Sequence, residues 1–224
     1  MKKWEKIAEI TTGAGHVMTL ASRDGVTAIR VNGRELMSSR HHASEEKLAT
    51  VACTPWHQTK DARVLIGGLG LGFTLRQALK VLGPSATVEV AELIPEVVAW
   101  NKDPALGLAH AELADPRTII REGDVHDIIS SGHGQWNAVM LDADNGTTAM
   151  NSPGNQRLYE DSGILAVMGA LKPGGVAVWW SAQAEPIFAK KLGRAGFDVT
   201  VETVRGHASG SGPRHTLLIA RLRS

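Results

Sequence analysis

Cysteine, tyrosine and phenylalanine are scarce in this chain: 224 residues hold one cysteine (Cys53), one tyrosine and three phenylalanines. A lone cysteine excludes an internal disulfide and fits a reducing compartment. No apolar run approaches the roughly 20 residues that a membrane-spanning helix requires. A formal net charge of +1 gives no overall electrostatic case for binding nucleic acid or a membrane surface. The basic opening, Met1 to Lys6, is not followed by an apolar core of signal-peptide length. His41-His42 has no partner set at metal-ligand spacing, so no metal is expected. The expectation is a soluble cytoplasmic protein. What is present is globular, with 43% hydrophobic and 21% charged residues in a length suited to one domain with a small appendage.

The first 60 residues read differently from the rest. His16 to Ala21 and Val26 to Val31 look like short strands, and Asn32-Gly33 is a tight-turn signal. Glu45 to Val51 reads as a helix capped by Ser44, with acids in its first turn, that Thr54-Pro55 should end. This predicts a small N-terminal β-hairpin or meander with a linking helix over 1–60, and a main domain over 61–224.

From Asp61 onward strands and helices alternate. Strands are predicted at Arg63–Ile66, Thr87–Ala91, Thr118–Arg121, Ala138–Leu141, Val176–Trp180, Phe197–Val204 and His215–Leu222. Helices fall after Gly72, Pro95 and Asp124, around Arg157–Leu171, and at Pro186–Ala195. Gly83-Pro84 and Lys172 to Gly175 are helix stops. Such alternation implies a parallel sheet covered on both faces. The last two strands lack an intervening helix and should pair antiparallel. The predicted fold is therefore α/β, a Rossmann-like doubly wound sheet of seven strands with an antiparallel last strand, the arrangement of class I S-adenosylmethionine (SAM) transferases.

Arg63 to Gly72 is the segment richest in chemistry. A β-branched run breaks into Gly67, Gly68, Gly70 and Gly72 and then opens a helix; Val88 to Glu92 follows and ends on a carboxylate. Glycines let backbone approach a ligand, a helix start favours a nearby anion, and an acid about 20 residues on can accept ribose hydroxyls. The bland alternative is a merely tight strand–helix turn. A dinucleotide G-x-G-x-x-G would need glycine where Phe73 stands, so the spacing points to a SAM-type nucleoside rather than NAD.

Further along, Gly123-Asp124 follows the third strand, where an acid would face adenine or simply cap the next helix. Leu93 and Val125 are their neighbours in this candidate nucleoside site. The fourth strand delivers Asp142-Ala143-Asp144-Asn145-Gly146. Ligands bind beyond the carboxyl ends of strands in open α/β sheets. Asp142, assisted by Asp144, is thus the candidate acid–base group, against the alternative of plain turn chemistry. Of Trp179 and Trp180, one should enter the core and the other the opposite face. The segment Arg205 to His215 leaves the ligand edge, as a basic lid or an ordinary surface loop.

From about residue 30 to 190 the chain resembles spermidine synthase and its polyamine aminopropyltransferase relatives. Arg63-Val-Leu-Ile-Gly-Gly-x-Gly-x-Gly-x-x-Leu75-Arg76, Val90-Ala91-Glu92-Leu93, Glu122-Gly123-Asp124, Asn137 to Asp142 and Leu171 to Gly175 carry the likeness. The resemblance implies a donor of SAM or decarboxylated SAM, a small amine acceptor, a catalytic acid at Asp142, and a homodimer. Departures fall at the donor and acceptor positions. The family's loop acid, which holds the donor's amine, is replaced by Gly70, and the Asp-x-x-Asp pair becomes Asp142-Ala143-Asp144-Asn145. Leu36 stands for a substrate Gln, His41-His42 for Asp-Glu, and Glu45-Glu46-Lys47 for Tyr-His-Glu. Methyl transfer and a catalytically silent nucleoside-binding relative remain the alternatives to aminopropyl transfer.

Overall fold

The computed structural model describes residues 3–142 and 153–223. It opens with an antiparallel meander of four strands, β1 (Glu5–Thr11), β2 (Val17–Arg23), β3 (Val26–Val31) and β4 (Arg34–Ser38), in spatial order 1-2-3-4. Only β2 and β3 were predicted. β1 reads Glu-Lys-Ile-Ala-Glu-Ile-Thr and buries no residue fully, and β4 has five residues beginning Arg-Glu, so neither carries a strong pattern. The Asn32-Gly33 turn is present, with φ of 49° and 78°, the left-handed pair that such a hairpin turn requires.

Helix α1 (Ala43–Cys53) follows, and a 3-10 turn at Thr54–Trp56 ends it where Thr54-Pro55 was expected to. Ser44 is not its cap. His42 holds the N-cap position without a side-chain bond, and the Ser44 hydroxyl turns instead to Glu45. The apolar face of α1 is Leu48, Ala49, Ala52 and Cys53, and the i−3/i−4 position Glu45 lies on that same buried face.

The main sheet takes β5 (Arg63–Gly67), β6 (Thr87–Glu92), β7 (Thr118–Glu122), β8 (Trp136–Leu141), β9 (Leu171–Ser181), β10 (Phe197–Arg205) and β11 (Arg214–Leu222) in spatial order 10-11-9-8-5-6-7. β5 to β9 pair in parallel, and β11 is antiparallel to both β9 and β10. This is the seven-stranded arrangement that the sequence pattern implied. The helices are α2 (Phe73–Val81), α3 (Pro95–Lys102), α4 (His110–Leu113), α5 (Val125–Ser131), α6 (Asp161–Ala170) and α7 (Pro186–Ala195). Two boundaries differ from expectation. The segment Leu171 to Gly175 belongs to β9, and Pro153–Tyr159 forms a 3-10 segment before α6.

Strand alternation divides the core in two. Val64, Ile66, Met140 and Val178 face one side and pack with Leu48, Leu75 and Val98. Leu65, Val139, Leu141 and Trp179 face the other and pack with Ile129, Ile164 and Leu192. Met18, Leu20 and Ile29 of the meander join the first layer, so the N-terminal sheet shares a core with the main sheet. Among the described residues no helix is long and apolar enough to cross a membrane.

Candidate active site

The meander covers the carboxyl ends of β5, β6, β7 and β8 and encloses a cavity of about 740 Å³. Its floor is built from Gly68, Gly70, Glu92, Gly123 to Val125 and Asp142. Met18, Ile29, Leu36 and Met37 of the meander form the opposing wall. Trp180, Pro213 and His215 close one end.

The glycine loop is organised inwards. Gly68 N–H donates to the Ala91 carbonyl (2.9 Å), Leu69 N–H to Glu92 Oε2 (2.8 Å), and Gly72 N–H to the Leu69 carbonyl (2.8 Å). Glu92 Oε1 accepts from Ile94 N–H (2.9 Å). Glu92 is 7% exposed, and burial raises its carboxyl above the usual range against the pull of these backbone donors. The loop amides expected to greet an anion are thus largely spent on Glu92 and on the turn itself. Asn101, fully buried on α3, donates to the Gly70 carbonyl (2.8 Å) and fixes the loop from below.

The predicted glycines divide by task. Gly68 and Gly70 line the cavity, whereas Gly67 and Gly72 do not. A Cβ on Gly67 would lie 3.0 Å from Val125 Cγ2, and one on Gly72 would collide with the Ala109 Cβ. Gly72 is the left-handed N-cap of α2, with φ of 80°. These two glycines serve packing between strand and helix, and the Leu75-Arg76 pair does likewise, since Arg76 pairs with Glu112 and donates to the Leu108 carbonyl.

Asp124 does the capping that was one of its two expected tasks, and it also lines the cavity. It caps α5 by accepting from His126 N–H (2.8 Å), and pairs with Arg157 at 2.6 Å. Leu93 lies half-exposed at the rim, and Val125 is buried behind Gly67. Asp142 ends β8, its N–H donating to the Gly67 carbonyl (3.0 Å) and its carboxylate accepting from the Thr74 hydroxyl (2.8 Å). Burial of this carboxyl, with repulsion from Glu45 second, holds it well above the usual carboxylate range. Asp144 lies outside the described residues.

Sequence reasoning missed Glu45, Thr74, Met37 and Asn101. Glu45 had a legible signal, its register with Leu48 and Ala49 on the buried face of α1. The tryptophans divide as expected: Trp179 is fully buried in the second core layer, while Trp180 lines the cavity and stacks on His215 at 4.7 Å. Pro213 and His215 place the start of β11 and the loop before it at the ligand edge. Among the described residues no group of three or more His, Cys, Asp or Glu could hold a metal ion.

The chain has a spermidine synthase-like fold. It superposes on spermidine synthase from Thermotoga maritima with a TM-score of 0.76 and 17% identity, over 97% of this chain and 72% of that one. A spermidine synthase in complex with the transition-state analogue AdoDATO gives 0.74 and 17% over the same shares. A probable spermidine synthase from Corynebacterium glutamicum gives 0.66 and 14%, over 99% of this chain and 81% of that one. No family model and no curated protein matches the sequence.

Proposed function

We propose that this protein transfers an aminopropyl group, or another alkyl group, from an adenosyl sulfonium donor to a small amine. The observation that carries this reading is the charge of the cavity. Glu35, Glu45, Glu92, Glu96, Asp124 and Asp142 line it, and among the described residues no lysine or arginine does. A sulfonium and an ammonium are both cations, and a cleft of one sign concentrates the opposite one. Among the described residues a carboxylate on the donor would meet no lysine or arginine lining the cavity and few free loop amides, which supports decarboxylated SAM over SAM itself.

In this reading Gly68, Gly70 and Glu92 hold the donor's ribose and tail, and Gly123, Asp124, Val125 and Leu93 surround its base. Asp142, with Asp144 as a second acid, orients the amine. The acceptor ammonium gives a proton to Asp142, and the freed lone pair attacks a carbon on sulfur. The C–N bond forms as the C–S bond breaks. The bonding pair leaves on sulfur as a neutral thioether, and the product carries the charge as a secondary ammonium. The sulfonium is already a good electrophile, so the protein's contribution is positioning and one proton transfer. A homodimer belongs to the same reading by resemblance alone.

One observation favours methyl transfer from SAM as a second reading: Met37 occupies the space beside Gly70 where a loop acid for the donor's amine would stand. Calorimetric titration with SAM, decarboxylated SAM, methylthioadenosine, S-adenosylhomocysteine and NAD separates the two. Preference for decarboxylated SAM and methylthioadenosine supports aminopropyl transfer. Preference for SAM and S-adenosylhomocysteine supports methyl transfer. Binding of none of the adenosyl compounds would overturn both.

A further inference from the structure

Two buried acids in this protein are treated in opposite ways. Glu89, 1% exposed, is fully answered: Arg63 and Arg121 pair with its two oxygens, and Trp136 Nε1 donates at 2.9 Å. Glu45, 5% exposed, has no ion-pair partner among the described residues, and its side-chain hydrogen bond comes from the neighbouring Ser44 hydroxyl. Asp142 likewise has no ion-pair partner among the described residues and accepts from Thr74 alone. Both acids line the one cavity. α1 packs against β8 and β9, and Glu45 is near enough to Asp142, just past the end of β8, for its charge to act there.

Burial raises the Glu45 carboxyl, and repulsion from Glu46 adds to it, while Ser44 opposes. Burial raises Asp142 further still, and repulsion from Glu45 is its next cause. Two like charges sharing a buried site cannot both ionise cheaply unless a cation joins them. Among the described residues no lysine or arginine lines the cavity to supply that cation; its other ionisable bases are His16, His41 and His215, the last lowered by burial.

We propose that Glu45 and Asp142 form a single two-carboxylate seat for the ammonium group of the acceptor, with Glu45 supplying the second charge. The inference rests on the amine-acceptor reading above. The empty seat holds one proton between its two acids. An entering ammonium displaces that proton to solvent, and both carboxylates then face the cation. During transfer Asp142 takes the ammonium's proton, while Glu45 keeps its charge beside the cationic product. The position that the resemblance assigns to a family tyrosine is thus occupied here by a second acid, and the spacing of the seat is set by the packing of α1 on the sheet.

The test is calorimetric titration of butylamine and 1,4-diaminobutane into the whole chain, with and without methylthioadenosine, in two buffers of different ionisation enthalpy at neutral pH. The wild type is expected to release about one proton per amine bound. Glu45→Gln should keep methylthioadenosine affinity within about twofold, weaken amine binding by roughly 30-fold or more, and reduce the proton release. Glu45→Asp should restore part of both. Amine affinity in a folded Glu45→Gln within about twofold of wild type overturns the seat. So does a wild type that releases no proton, or that binds methylthioadenosine but neither amine. If Glu45→Gln fails to fold, the wild-type proton count and Glu45→Asp decide. Amine binding with Glu45-dependent proton release, but no methylthioadenosine binding, sinks the adenosyl-donor reading and leaves the seat standing. Methylthioadenosine binding with amine affinity indifferent to Glu45 does the reverse.

Discussion

Met37 lies directly over Gly70: a Cβ on that glycine would stand 2.5 Å from Met37 Sδ and 2.7 Å from its Cε. The relationship joins the wall of the N-terminal meander to the glycine loop of the main sheet, and it explains why the loop carries no acid here. Gly70 also has φ of 52°, a region that side chains enter at a cost of about 1–2 kcal/mol.

Gly70→Ala therefore meets both a strained backbone and an occupied space. It is expected to weaken binding of methylthioadenosine by roughly tenfold or more. Met37→Ala on the same background should recover part of that loss, since it relieves the collision and not the backbone strain. Calorimetry on the single and double variants checks this. A Gly70→Ala protein that binds as tightly as wild type would show that the loop is no donor contact.

Glu92 uses one oxygen for Leu69 N–H and the other for Ile94 N–H. An amide offers one oxygen, so Glu92→Gln leaves one buried N–H facing another donor. The expected cost is about 1–3 kcal/mol of stability, through the loop. Methylthioadenosine affinity should fall by roughly tenfold or more, because ribose loses its acceptor. Thermal unfolding and calorimetry read the two effects separately. Lost stability with unchanged affinity would make Glu92 a strut of the loop alone.

The sheet was legible because short apolar runs punctuated by glycine and proline alternate with helical segments through the main domain; Arg63–Ile66 and Val176–Trp180 fall inside β5 and β9. Strands β1 and β4 were not, since their pairing comes from β2 and β3 rather than from apolar residues of their own. At the site, Glu92, Asp124 and Asp142 were legible because strand ends in an α/β sheet converge on ligand. Glu45 was legible only in part: its register with Leu48 and Ala49 points inward, but an acid in the first turn of a helix already has a sufficient explanation in the helix dipole. What distinguishes Glu45 is burial, which depends on α1 packing against α2 and the main sheet. The different tasks of Gly67 and Gly68 were equally hidden, as only packing separates them.

Glu89 offers a stability prediction independent of function. It does not line the cavity, and its partners Arg63 and Arg121 are more than one-third exposed. Glu89→Ala leaves the arginines able to reach water but strands Trp136 Nε1, which is fully buried. A loss of about 2–3 kcal/mol follows, below the full value for a dry ion pair because solvent screens the arginine side. Arg63→Ala should cost about 1 kcal/mol or less. Denaturant unfolding measures both, and methylthioadenosine binding should be unaffected by either. An Arg63→Ala loss as large as that of Glu89→Ala would contradict the assignment.

The pH dependence of stability has a sign fixed by the site's acids. Burial, as the largest cause, raises Glu45, Glu92 and Asp142 above their ordinary values of 4.5, 4.5 and 3.8. Below those ordinary values the folded and unfolded chains are both protonated, and the contribution is fully present. As pH rises past them the unfolded chain releases its protons first, so the folded state holds more protons and loses stability with rising pH. The loss continues until pH passes the raised values of the folded protein. Asp115 runs oppositely: the hydrogen bond from Arg117 lowers it, so its contribution is present above the ordinary 3.8 and is lost only as pH falls below that. Between about pH 5 and 8 the cavity acids therefore tilt stability downward as pH rises, while His215, lowered by burial below its ordinary 6.5, opposes them up to that value. Wild-type Tm should decline across that interval in the absence of ligand, and the double variant Glu45→Gln, Asp142→Asn should decline less. Parallel Tm curves for the two proteins would mean that these acids do not share a buried proton.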